Sequence, residues 1–245
     1  MNIKRVIHYQ LFDLGKAFLI YYFIILGIIL LGGGVVIISS GNATFNGTGF
    51  SSTVFCFIAG LCMFREYFYL FSQNGVSRKT TYIGTLSSIT LLSALMSIIE
   101  VLFVYLSRLF PSDRIRFMHF MDIFTQVTAS SSLALQILLD LILTFLIIIT
   151  CFSAGYLIAV LFYRSSKILK IGIAAGLPVL LFLGLPLLAY IFPEAAARCG
   201  KLLMIISGLE SGNPLITMLT LVITAAFLNI EKSQDLPGTR RRKTR

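Results

Sequence analysis

The chain has 245 residues, of which 57% are hydrophobic and only 12% charged, with a mean hydropathy of +0.92 and a formal net charge of +10. This is about half the charge of an ordinary soluble domain, which excludes a water-soluble globule, and several apolar runs reach the roughly 20 residues needed to cross a bilayer core as helix. The excess of cations needs no nucleic acid to explain it, because basic loops flanking membrane spans and contact with anionic lipid account for it.

In chain order, residues 1–17 carry a helical stripe of Ile3, Ile7, Leu11, Leu14 and Phe18, with Lys4, Arg5, His8 and Lys16 mostly on the other side. That pattern predicts an interfacial helix lying on the inner leaflet. Breaks at charges and turn residues then place membrane spans near 18–38, 52–64, 80–106, 133–163, 171–192 and 213–230, a transmembrane domain over 18–230 followed by a basic tail over 231–245. The expected fold is an all-α integral membrane protein with six transmembrane helices. The second run is short unless its helix begins earlier, within "GFSS". The preceding loop, "SSGNATFNGTGFSS", reads as a solvated turn, its N-x-[ST] matches at Asn42 and Asn46 being common by chance.

Of the 20 Lys and Arg, only Arg108, Arg114, Arg116, Arg198 and Lys201 fall outside if the N-terminus is cytoplasmic. The bias puts both termini on the cytoplasmic side of the cell membrane. The fifth span holds Gly172, Gly176, Pro178, Gly184 and Pro186, a pattern for close packing and bending. After it, "EAAARCGKLLMIISG" is too short and charged to span and reads as an outer interfacial helix, and Asn213-Pro214 makes a start for the last span.

The stretch 64–74, "FREYFYLFSQN", is amphipathic at 100° per residue. Phe64, Tyr67, Phe68, Leu70 and Phe71 gather on one half, and Arg65, Glu66, Tyr69, Ser72 and Gln73 on the other. Asn74-Gly75 then supplies a left-handed stop and Ser77 a cap for the next helix. Lys79-Thr80 resembles the end of a phosphate loop, but that loop needs glycines where this chain has Gln73 and Arg78, so nucleotide binding in this chain is not expected. A second basic segment, "YRSSKILK" with Arg164 and Lys167, faces the same side.

Two acids, Glu100 and Asp140, are expected near the outer boundary by counting about 20 residues of hydrocarbon from Arg78 and Arg164. Cys56, Cys62, Cys151 and Cys199 form no CxxC, and His8 and His119 are too few for a metal site. With no catalytic constellation in the hydrocarbon zone, the chain is not expected to be an enzyme.

These features together, above all the turn "NGVSRKTTYIG" leading into the third span, resemble the permease subunit of an ABC-2 type exporter. The resemblance implies a coupling helix and turn, Tyr69, Phe71, Gln73, Asn74, Gly75, Val76, Ser77, Arg78 and Lys79, seated on a cytoplasmic ATPase, with Arg164 and Lys167 as a second contact. It implies two ATPase subunits, which hold the ATP and magnesium so that this chain needs no cofactor, and a second permease copy, a homodimer in the usual arrangement. The small size and apolar spans are similar to exporters of amphipathic peptides such as lantibiotics. Glu100 and Asp140 would then be cargo contacts at the exit. Other readings are a lipid-like or drug cargo, or a non-transporting membrane anchor or sensor partner.

Overall fold

The computed structural model describes residues 3–39, 43–46, 48–107, 115–118, 120, 132–166, 187, 190–206 and 214–234. In order they form α1 (Ile3–Ser39), β1 (Ala43–Asn46), α2 (Thr48–Gln73), α3 (Arg78–Ser107), β2 (Ile115–Met118), α4 (Leu133–Arg164), α5 (Pro193–Ile206) and α6 (Pro214–Gln234). Four helical stretches, Ile3–Leu31, Gly49–Gln73, Lys79–Tyr105 and Leu133–Tyr163, are long and apolar enough to cross a membrane; the apolar part of α6, Pro214–Ala226, is shorter. By length and composition this is a membrane-embedded helical protein. The expected fifth span, 171–192, lies outside the described residues apart from its last few positions, as does the tail beyond Gln234.

Three elements differ from the sequence reading. The interfacial segment and the first span form one uninterrupted helix of 37 residues, about 55 Å long at 1.5 Å per residue. Likewise α2 begins ahead of "GFSS" at Thr48 and passes straight through Phe64 to Gln73, so the aromatic amphipathic stretch is the end of α2 and not a coupling helix of its own. No glycine, proline, serine, threonine, asparagine or aspartate stands between residues 61 and 71 to interrupt it. Finally, the first outer loop is not only a turn: β1 pairs in parallel with β2, Ala43 opposite Ile115 and Asn46 opposite Met118. The expected helix after the fifth span is present as α5, with Glu194 and Arg198 in an exposed i,i+4 pair at 3.9 Å.

The core lies among α1, α2, α3 and α4, where Phe18, Cys56, Met63, Tyr67, Phe71, Ile89, Leu92, Met96, Ile148 and Phe152 are buried. The most extensive helix contact joins α2 and α4, and glycine makes it possible. A Cβ on Gly60 would collide with the backbone oxygen of Phe152, and one on Gly155 with that of Phe57. On α2, Ser52, Cys56 and Gly60 recur every four residues and are all buried, a stripe of small side chains that lets two backbones touch. The sequence reading instead assigned close approach to Gly172-x-x-x-Gly176, outside the described residues.

Helix α1 packs on α3 through Val6, which Gly84 accommodates, and Gln10, while Leu14 and Phe18 continue its buried face, Phe18 meeting Phe55 of α2 at a ring distance of 5.4 Å. This face is rotated from the expected stripe: Leu14 and Phe18 belong to both, but Ile3 is exposed and Ile7 and Leu11 are half-buried. Gln10 decides the rotation. Its Nε2 donates to Thr85 Oγ1 at 3.0 Å, and Ser88 Oγ donates to its Oε1 at 2.9 Å. A second small core joins α4 and α6 through Leu143, Met218, Leu146 and Leu221. There Thr150 Oγ1 also approaches the backbone oxygen of Leu221 at 3.4 Å.

Candidate functional site

The end of the bundle that carries the start of α1, the α2–α3 turn and the close of α4 holds most of the residues expected to contact a partner. The turn is built from two caps placed back to back. At the end of α2 the N–H of Val76 donates to Phe71 O at 3.0 Å and that of Gly75 to Ser72 O at 3.3 Å, the paired bonds of a Schellman motif. Gly75 takes a φ of +66°, which side chains other than glycine adopt at a cost. Asn74 Nδ2 donates to Leu70 O at 2.7 Å. Then Ser77 caps α3, its Oγ accepting from the N–H of Thr80 at 3.2 Å and meeting Thr80 Oγ1 at 2.7 Å. Four residues thus join two long helices with their end groups hydrogen-bonded.

Gly75→Ala tests this account of the turn. No atom would crowd a Cβ there within 4 Å, so only the left-handed backbone opposes it. The expected loss is about 1 kcal/mol, read as a lower unfolding midpoint in detergent.

An aromatic cluster clamps the turn from both sides. Tyr67 and Phe71 stack at 5.9 Å, and Tyr9 of α1 meets them edge-on at 6.2 and 6.3 Å. Tyr67 Oη also donates to Asp13 Oδ2 at 2.9 Å. From α4, Tyr163 touches Phe64, Phe68 and Tyr69 at ring distances of 5.5, 5.2 and 6.3 Å, and Tyr156 meets Phe64 at 5.5 Å. Edge-to-face and offset pairs of this kind contribute about 0.5–1.5 kcal/mol each beyond burial.

The expected coupling residues divide by exposure. Tyr69, Gln73, Asn74, Gly75, Ser77 and Lys79 face outward. Phe71 and Val76 do not: both are buried, at 1% and 8% exposure, as the hydrophobic contact that closes the Schellman turn. They hold the turn from within. The backbone of Arg78 opens α3 and that of Arg164 ends α4, while Lys167 lies outside the described residues. Tyr163 brings the close of α4 to the turn. Reading the sequence missed Tyr9, Asp13 and Gln10 on α1. Asp13, the one acid in the first helix, was the available signal.

The two acids stand elsewhere and are not on a surface. Glu100 and Asp140 are buried, at 3% and 1% exposure. Tyr22 Oη of α1 donates to Glu100 Oε1 at 3.4 Å and lies equally far from Met96 O, with Phe103 stacked on the Tyr22 ring at 6.1 Å. Burial follows from position: Glu100 continues the inward face of α3 that includes Ser93, Met96 and Ser97, and Asp140 shares a face of α4 with Leu143 and Thr144. Among the described residues no three His, Cys, Asp or Glu come together as a metal site. Comparison with family models, with characterised proteins and with solved structures found no match to this chain.

Proposed function

We propose that this chain is the membrane-spanning subunit of an ABC-2 type exporter, with residues 171–192 as a further span, six spans in all and both termini cytoplasmic in the cell membrane. It pairs with a second copy and with two ATPase subunits and moves amphipathic peptides outward; ATP and magnesium are bound by the ATPase. One observation carries the reading: a doubly capped turn with a polar, exposed outer surface, wedged by aromatic rings between α1 and α4. A partner pressing on Gln73, Asn74, Ser77 and Lys79 meets a stiff body. Because α2 is continuous, the push passes directly along α2 and α3, with no separate lever lying on the membrane.

The buried carboxylates narrow the cargo part of the reading. Glu100 and Asp140 meet cationic groups of a peptide only when α3 and α4 part from their neighbours, so their contact with cargo belongs to an open state. An anchor or sensor partner would share the spans but not the coupling.

Co-expression with an ATPase chain encoded beside it separates the two. The pair is expected to co-purify with raised ATP hydrolysis, and Lys79→Glu or Gln73→Ala to reduce the stimulation about tenfold, as loss of an interface contact worth about 1.4 kcal/mol does. Co-purification with no stimulation would favour the anchor.

A further inference from the structure

On the outward side of α1, Lys4, Arg5, His8, Tyr9 and Phe12 line a depression of about 510 Å³. One turn further on, Lys16 Nζ sits 4.3 Å from the centre of the Phe12 ring, a cation–π contact at the lower edge of the depression. At 100° per residue these side chains fall on the half of the helix opposite Val6, Gln10 and Leu14, so the depression faces away from α3. Lys4 and Arg5 stand at its N-terminal rim, the rings of Tyr9 and Phe12 lie below, and Lys16 marks its lower edge. We infer that this depression is a headgroup site for an anionic phospholipid, the phosphate meeting Lys4 and Arg5 and the acyl chains running down past Phe12 along the exposed apolar side of α1, where Leu19, Ile20 and Phe23 stand open.

Charge complementarity and continuity select that occupant. Apolar side chains continue in line with the depression along a helix long enough to cross a membrane, which suits a molecule with a charged head and hydrocarbon tails. A free phosphate would use the rim and leave the ring floor empty. Through Tyr9 the site touches Tyr67 and Phe71, so an occupant steadies the clamp on the α2–α3 turn. The inference rests on embedding in a membrane and stands whether or not the chain is an exporter subunit.

The test is a native mass spectrometry titration of the detergent-solubilised full chain with phosphatidylglycerol and, separately, phosphatidylcholine, with inorganic phosphate as competitor. Phosphatidylglycerol is expected to bind more tightly than phosphatidylcholine and to resist phosphate. Each cation removed weakens binding about fivefold, so Lys4→Gln with Arg5→Gln weakens it about 25-fold. Arg65→Gln removes an exposed cation of α2 that does not line the depression and is expected to change it less than about twofold. Equal binding of phosphatidylcholine, displacement by phosphate at matching concentration, or an Arg65→Gln loss as large as the pair's overturns the site.

Discussion

Replacing Phe71 by alanine is expected to cost about 3–5 kcal/mol of stability, the range for removing a fully buried phenyl ring, whereas Tyr69→Ala two residues earlier costs less than about 1 kcal/mol. The rings belong to the same aromatic run, and composition alone would rank them equally. Phe71 is 1% exposed, stacks on Tyr67, is touched by Tyr9 and packs in one cluster with Val76. Its backbone oxygen also accepts from Val76, closing the turn. Tyr69 is 49% exposed, and its ring contacts among the described residues are Phe68 and Tyr163. Chemical or thermal unfolding of the two variants in one detergent measures the difference. A smaller loss for Phe71→Ala than for Tyr69→Ala would refute the anchoring role. In the proposed exporter the ranking reverses for coupling: Tyr69→Ala lowers ATPase stimulation in a folded subunit.

Gly60→Ala and Gly155→Ala are each expected to lower stability by about 2–3 kcal/mol, the scale of overpacking a closed interior. The sign is the informative part. In a helix interior Gly→Ala gains about 1 kcal/mol of propensity, and at Gly15, where nothing lies within 4 Å of a Cβ, that gain is expected to appear. At Gly60 the new methyl meets the Phe152 carbonyl and stands 3.0 Å from the Tyr156 nitrogen; at Gly155 it meets the Phe57 carbonyl and stands 3.2 Å from the Leu61 nitrogen. Backbone atoms cannot rotate aside as a side chain does, so α2 and α4 must separate. Both substitutions force the same separation, and the double variant is expected to lose less than the sum of the singles. Unfolding midpoints of Gly15→Ala, Gly60→Ala, Gly155→Ala and the double variant decide it. A stabilised Gly155→Ala would mean the two helices do not touch as described.

Several features were legible along the chain. The halves of the 64–73 stretch, Phe64, Tyr67, Phe68, Leu70 and Phe71 against Arg65, Glu66, Tyr69, Ser72 and Gln73, match its buried and exposed sides, because helical periodicity and local polarity act within one element. The Asn74-Gly75 stop, the Ser77 cap and the Pro214 start are local for the same reason. Legibility failed where two helices meet. The stripe Ile3, Ile7, Leu11 reads as the lipid side of an interfacial helix, yet the buried face of α1 runs through Val6 and Gln10, and Glu100 and Asp140 are buried.

Lipid is as apolar as a leucine side chain, so within a membrane hydrophobicity does not tell a packed face from an exposed one. The sequence by itself determined that the chain enters a membrane, that apolar helix makes up most of its described length, and how the tight turn between α2 and α3 closes, since length, composition and caps are properties of consecutive residues. Only the tertiary structure decided which faces meet: glycines 60 and 155 placed backbone to backbone, Gln10 bonded to Thr85 and Ser88, and Tyr9 and Tyr163 closing on the turn. Those contacts depend on atoms far apart in the chain coming within hydrogen-bond or van der Waals reach, and no spacing along one helix encodes the partner on another.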